Sequence, residues 1–384
     1  MYRVPIFVSA VVSVVLMSAC GGSGSGEQIK MTMTTSAETI QFWLMGSGSA
    51  TVDWGDGSEK ETREPELYDT YDNSMAFIFY REFSDTFPRT ITIIGENIWG
   101  VKVSYSQLTE LDVSQNSALT LLHCRNNLLT ALNIRQNTAL IEFDCADNII
   151  TELDVSQNTS LTFLDCSSNQ LTALDVTQNT ALTVLSCVVN RLTELDVSRN
   201  IALIVLNCSN NQLTELDISQ KTDLERLYVR NNFLTELDVS NNTMLSVLAC
   251  ENNQLTALEV RQNTALQYLL CDDNQLTELD VSLNTALMHL RCLNNQLTEL
   301  NVSHNTTLMY LDCADNQLTT LDVSRNNALY HLNISGNKFS ISALNNLFGT
   351  VRRNGVGIYI SDNPGSANCD PNIAEAKGWS VVRN

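Results

Sequence analysis

The strongest constraint on this chain is a 21-residue unit that recurs without insertion or deletion. Leu108-Thr109-Glu110-Leu111-Asp112-Val113 returns as Leu171 to Val176, as Leu213 to Ile218 and as Leu318 to Val323. From 108 to 318 the chain runs through ten periods of 21, so the unit is written eleven times. A fixed period of this size specifies a solenoid, in which each unit buries its apolar side chains against its neighbours and both ends need caps.

Within each unit the pattern L-x-x-L-x-(V/C)-x-x-N appears twice. In one copy Leu171, Leu174, Val176 and Asn179 make the first half, and Leu182, Leu185, Cys187 and Asn190 the second. The fourth and sixth positions alternate with outward ones as on a strand, so each half is expected to be a short strand entering a turn. The Asn three residues past the V/C position is expected to turn its amide onto the backbone of the bend. Every second-half turn carries it, from Asn127 and Asn148 to Asn337. The V/C position of the second half reads Cys124, Cys145, Cys166, Cys187, Cys208, Cys250, Cys271, Cys292 and Cys313, with Val229 and Ile334 in register. Replacement by Val and Ile marks an apolar slot in which Cys serves as a small buried hydrophobe.

These repeats resemble leucine-rich repeats, specifically the bacterial internalin type whose 21-residue repeat carries a cysteine in place of one leucine. The resemblance implies a mainly β solenoid over residues 98–338. It also implies that the second-half strands line a concave face that binds the partner.

Ahead of the solenoid, Arg3, the apolar run Val4 to Met17 and Ser18-Ala19 have the architecture of a secretory signal over residues 1–19, too short for a spanning helix. Ala19-Cys20 followed by Gly21-Gly22-Ser23-Gly24-Ser25-Gly26 is similar to a bacterial lipobox with a flexible tether over residues 20–28. That resemblance implies lipidation at Cys20 and an exported, lipid-anchored protein of the cell envelope, in the outer membrane and surface-exposed. Residues 29–97 alternate apolar and polar side chains and are expected to form a small antiparallel β-sandwich that docks on the first coil. Asp53-Trp54-Gly55-Asp56-Gly57 is similar to the W-G-D-G turn of PKD-like, immunoglobulin-fold domains. Asp53 and Asp56 are read as holding their own bend, with a bound cation as the alternative. Counting back one period from Leu119, Leu122 and Cys124 lands on Ile98, Val101 and Val103, a degraded coil that serves as N-terminal cap.

After Asn337 the rhythm fails, and residues 339–384 are expected to form a β/α cap. Ser342 to Arg353 has helical spacing, Val356 to Ile360 reads as a strand, Ile373 to Lys377 as a short helical piece and Trp379 to Val382 as a last strand.

The formal net charge is −21. Much of it is written into the repeat, at Glu110, Glu152, Glu194 and their equivalents and at Asp112, Asp154, Asp175 and theirs, which makes nucleic acid and anionic membrane poor partners. Asn133 and Asn301 interrupt the Asp row, so no metal is assigned to it, with calcium kept as the lesser alternative. The nine cysteines of the ladder are expected to stay free thiols, because parallel side chains do not present the ~90° twist of a disulfide. Cys369 breaks the period and is the one to test for pairing. His123, His289, His304 and His331 form no metal-ligand spacing, no Gly-rich phosphate loop is present and the thiols are expected to be buried, so no cofactor and no enzyme activity are assigned.

The first halves hardly differ between copies, whereas the outward positions of the second halves vary in size and charge. Phe163, Val184, Val205, Arg226, Tyr268, His289, Tyr310 and His331 occupy the first outward row, joined by Tyr228, Leu270, Arg291 and Arg230. Outward aromatic, aliphatic and Arg side chains are what protein interfaces concentrate at their centres. Arg226, Tyr228 and Arg230 share one rung and are the first choice of hot spot. The expected function is protein binding by a monomeric envelope lipoprotein, for adhesion or another protein–protein interaction. A carbohydrate-binding lipoprotein, with the aromatics stacked on sugar rings, is the alternative.

Overall fold

The computed structural model describes residues 28–67, 75–352 and 355–383. The expected signal, Cys20 and the tether through residue 27 lie outside them. The N-terminal strands are β1 (Ile29–Thr35), β2 (Thr39–Gly46), β3 (Ala50–Asp53), β4 (Glu61–Arg63), β5 (Glu66–Leu67), β6 (Met75–Glu82) and β7 (Arg89–Gly95). Period-2 alternation turns Met31, Met33, Ile91 and Ile93 inward from β1 and β7, and Ile40, Phe42, Leu44, Phe77 and Phe79 inward from β2 and β6. Phe42 stacks on Phe79 with ring centroids 5.2 Å apart, and Trp54, at the end of β3, meets Phe79 edge-on at 6.3 Å. The two sheets therefore share one core. In the bend that follows, Gly55 N–H donates to Asp53 Oδ1 at 3.1 Å and Ser58 N–H to Asp56 Oδ1 at 3.0 Å, so these carboxylates hold their own turn. Gly55 has φ +69°, and a Cβ there would lie 2.4 Å from Thr90 O, which requires glycine.

The sandwich does more than dock. The degraded coil contributes β8 (Ile98–Lys102), which pairs antiparallel with β2, Leu44 opposite Val101, and parallel with β10 (Leu121–His123), Val101 opposite Leu122. The first half of the first unit forms β9 (Leu108–Asp112), antiparallel to β1. Both sheets of the sandwich thus run by hydrogen bonds into the solenoid, and the first strand of the parallel stack, β8, is paired on both sides.

From β10 to β20 (His331–Asn333) one three-residue strand recurs per unit, parallel and in register with its neighbours. Each points one large apolar side chain inward, Phe143 in β11 and a Leu in the others, Leu185 for example, flanked by Leu182 and Cys187, all at 0 % exposure. The first halves depart from expectation: after β9 none of them is a strand. Their carbonyls are taken by two consecutive turns, Asn179 N–H to Val176 O and Leu182 N–H to Asn179 O, and between coils by single bonds such as Gln170 N–H to Ile150 O at 2.9 Å. Successive first halves are thus joined by single backbone bonds, and the continuous parallel ladder lies on the second-half side.

Two columns of asparagine bind the coils. In the second halves Asn190 Nδ2 donates to Cys187 O and to Cys166 O of the preceding coil, both at 3.1 Å, while its Oδ1 accepts from Leu171 N–H at 3.0 Å. The amide therefore holds its own bend, as the pattern predicts, and also ties it to the coil before. In the first halves Asn179 Nδ2 donates to Val155 O and Asn158 O of the preceding coil, both at 2.9 Å. Lys221 interrupts this second column at 0 % exposure, its Nζ donating to Ser198 O at 3.2 Å. Just before each second-half Asn the backbone is left-handed, at Asn126, Asp147, Ser168, Val189, Asn210 and onward to Gly336.

The cap extends the sheet and covers its end. Helix α1 (Ile341–Thr350) is capped by Ser340 Oγ, which accepts from Ala343 N–H at 3.2 Å. It stops three residues short of Arg353, where Lys377 Nζ donates to the carbonyls of Phe348, Gly349 and Val351 at 3.0, 2.6 and 3.0 Å. Strand β21 (Gly357–Tyr359) pairs parallel with β20, and after α2 (Asn372–Glu375), β22 (Ser380–Val382) pairs parallel with β21. Asn363 repeats the asparagine bridge, donating to Ile334 O and Ile360 O at 2.8 and 3.1 Å. Cys369 is buried and unpaired, as are the nine ladder thiols.

Candidate functional site on the outward face of the parallel sheet

Strands about 4.8 Å apart half-cover one another's outward side chains. Phe163, Val205, Arg226, Tyr228, Tyr268, His289, Arg291, Tyr310 and His331 are accordingly half-buried, and Arg230 is exposed. Val184 and Leu270 are covered by their neighbours to 7 and 8 % exposure. Arg226, Tyr228 and Arg230 do share one rung, and burial raises the Tyr228 phenol above its ordinary pKa.

Farther along, alternating Tyr and His stack into a column. Ring centroids are 4.8 Å apart for Tyr268 and His289, 5.7 Å for His289 and Tyr310, and 4.1 Å for Tyr310 and His331, whose planes differ by 2°. The column ends on the cap, where Tyr359 lies 5.1 Å from His331. Sequence reasoning missed Tyr359, because the period breaks before it. The signal was present in Ile358, Ile360 and Asn363, which continue the L-x-(V/C)-x-x-N pattern after the helix. Gly357 makes room for the ring, since a Cβ there would lie 3.1 Å from Tyr359 Cε2. Burial lowers the pKa of His289 and of His331, which favours the neutral imidazoles.

Beside this column Arg291 Nη2 lies 2.6 Å from Asp272 Oδ2. Asp272 is 1 % exposed and its Oδ1 accepts from Leu293 N–H at 3.1 Å. Burial pushes its pKa up to about 7 against the pull of Arg291. Burial likewise raises Asp312 and Glu251, and raises Tyr310 to about 12 with Asp312 adding to the effect. At the other end of the face Arg125 is shared between Asp147 at 2.8 Å and Asp165 at 3.8 Å. There burial lifts Asp144 to about 6, with the Asp165 charge adding, and lowers His123 to about 4.

The acidic row of the first halves has a local task. Ser156 N–H donates to Asp154 Oδ1 at 2.9 Å, and the same bond recurs at Asp112, Asp175, Asp196, Asp217, Asp238, Asp280 and Asp322. Asn133 and Asn301 keep it, accepting from Arg135 N–H at 3.2 Å and Ser303 N–H at 3.0 Å. The turn needs an acceptor and not a charge, which is why Asn interrupts the row without breaking the repeat. Among the described residues no group of three or more His, Cys, Asp or Glu is placed to hold a metal ion. The ladder thiols are fully buried, and burial pushes Cys208 up to about 12.

No family model matches the sequence, and no curated protein matches it. Solved structures do. The functional domain of InlJ from Listeria monocytogenes, which includes a cysteine ladder, is 32 % identical with a TM-score of 0.53, over 69 % of this chain and 74 % of that one. A leucine-rich repeat protein of Leptospira interrogans is 22 % identical with a TM-score of 0.63, over 73 % of this chain and 82 % of that one. An internalin, InlF, of Listeria monocytogenes is 22 % identical with a TM-score of 0.54, over 69 and 74 % of the two chains. The last two show the fold alone. The first shares with this chain a cysteine ladder as well as the solenoid, and by that likeness the chain belongs to the internalin-like leucine-rich repeat proteins of the cysteine-ladder type.

Proposed function

We propose that this chain is a non-catalytic cell-envelope lipoprotein that binds a protein partner through the outward face of its parallel sheet. In this reading Cys20 carries the lipid, Gly21 to Gly26 form the tether, and the PKD-like sandwich of residues 29–97 stands between membrane and solenoid. One observation carries it: the scaffold uses up the first-half side chains in turns and coil-to-coil bonds, whereas the outward second-half side chains differ from rung to rung on a rigid frame. Rigidly held Arg and Tyr side chains are the usual anchors of protein interfaces. The ring column also speaks for protein over glycan. Stacked face to face, the Tyr and His rings offer edges outward and keep few of the flat faces on which sugars stack.

The test has two parts. Protease added to intact cells should digest this chain and spare a periplasmic control; protection of the chain would place it inward and end the adhesive reading. A photo-crosslinking residue at Phe163 should then recover the partner from the cell or host surface. Joint replacement Tyr228→Ala, Tyr268→Ala and Tyr310→Ala should weaken that complex at least tenfold, and unchanged affinity would refute binding through this face.

A further inference from the structure

The face that remains open after the scaffold is accounted for is uneven in charge. Its middle rung carries Arg226 and Arg230, whereas the rungs from Val247 onward carry Glu251, Asp272 and Asp312 against the single Arg291. His289 and His331, held between tyrosine rings, add no cation there while they remain neutral. Arg291 is committed to Asp272 at 2.6 Å, which leaves Glu251 and Asp312 short of a counter-charge. Glu251 Oε2 is buried without a hydrogen-bond partner, and the cation nearest to it on the preceding rung is Arg230. Asp312 accepts from Ala314 N–H at 3.2 Å and from the Asn333 side chain, and lies among Tyr310, His331 and Arg291, with no cation paired to it directly among the described residues.

On the reading that this face binds protein, we propose that its C-terminal third is the receptor for a cationic segment of the partner. An arginine- or lysine-bearing loop would lie along the edges of Tyr268, Tyr310 and Tyr359, with one cation set at Asp312 and a second reaching toward Glu251. The argument is charge complementarity. Glu251 is half-buried and Asp312 7 % exposed in this ring-lined surface. Carboxylates so placed keep more of their field than exposed ones, so an incoming guanidinium finds a stronger counter-charge here than on the solvated Asp row of the first halves. Because Tyr359 belongs to β21, the cap is part of this receptor as well as the end of the stack. The column also restricts the ligand, since ring edges about 5 Å apart form a narrow strip that suits an extended chain more than a broad apolar surface.

The full chain is tested with a fluorescein-labelled dodecapeptide in which Arg alternates with Gly and Ser, and with its Gln counterpart, by anisotropy at 150 mM salt. The Arg peptide should bind at least tenfold tighter than the Gln peptide. Asp312→Asn should weaken it at least fivefold, and Asp312→Lys should abolish it, whereas Asp280→Asn, on the opposite side of a coil, should leave it unchanged. A single cooperative thermal transition checks that each variant is folded. Absence of Arg-peptide binding to the parent chain, or equal weakening by Asp312→Asn and Asp280→Asn, would overturn the proposal. Either result leaves the protein-binding reading intact if the triple tyrosine replacement still loses the crosslinked partner, and that reading fails separately if it does not.

Discussion

Val189 is where the repeat violates its own backbone rule, and replacing it tests how the solenoid turns its corner. The corner residue is left-handed in every coil, with φ of 55° at Asn126, 54° at Val189 and 57° at Asn210. Asn, Asp and Ser fill the position elsewhere, with Gly336 in the last unit. Their short side chains tolerate this region, whereas a β-branched residue there is an outlier. The conformation is enforced by the stack, because Val189 N–H donates to Ser209 O at 3.0 Å. Relief of the clash in Val189→Asn is worth ~1–2 kcal/mol. Val189 is 48 % exposed, so the lost contact costs no more than ~1 kcal/mol. An asparagine in the row also gains a partner, as Asn231 does by donating to Asn210 Oδ1 at 2.8 Å. The net stabilisation expected is about 1 kcal/mol. The reverse change, Asn252→Val, adds the clash and removes the 2.6 Å bond to Asn231 Oδ1, for a loss of ~2–3 kcal/mol. Equilibrium urea unfolding followed by near-ultraviolet circular dichroism, with unchanged slope, reads both. A neutral or destabilising Val189→Asn, together with a loss below ~0.5 kcal/mol for Asn252→Val, would refute the account of the corner.

Lys221→Asn should stabilise the chain by ~1–2 kcal/mol in the same assay, because it replaces a buried ammonium that has one carbonyl partner at 3.2 Å with an amide that completes the column through Val197 O and Asn200 O. Stability should also depend on pH in two opposed limbs. Asp272 and Asp144, raised from 3.8 to about 7 and about 6 with burial the largest cause, bind protons more readily folded than unfolded. Their contribution is full below pH 4 and is lost as pH rises through 6 to 7, while His123, His289 and His331, lowered by burial, lose stability on acidification over the same range. The Asp272 share is therefore read as the difference in thermal midpoint between the parent and Asp272→Asn, which should grow in the parent's favour from pH 8 to 5. Asp154, lowered to about 2 by its hydrogen bonds from Ser156, acts oppositely, so stability falls again as pH drops below 4. A difference between the parent and Asp272→Asn that stays constant from pH 8 to 5 would contradict the burial of Asp272.

Repetition made the core legible without a structure. Leu171, Leu182, Leu185 and Cys187 could be assigned to the interior because the same apolar slots return at a period of 21, and Val229 and Ile334 named the Cys column as apolar. The outward rows followed from strand alternation. What pattern could not resolve was the use of backbone groups. The two halves of the unit read alike, yet beyond β9, which pairs with β1, only the second is a strand, and neighbouring first halves are joined by single backbone bonds.

Fold class, coil register, the buried thiols and the candidate binding rows were thus determined by the sequence alone, since each depends on side-chain periodicity. The fusion of both sandwich sheets with the solenoid, the ion pair between Arg291 and Asp272 and the arrival of Tyr359 beside His331 were decided only by the tertiary structure. Residues 331 and 359 lie 28 apart, outside the repeat period, and α1 occupies the interval between them. A contact of that kind is set by how the last coil and the cap stack in space, which periodicity does not encode.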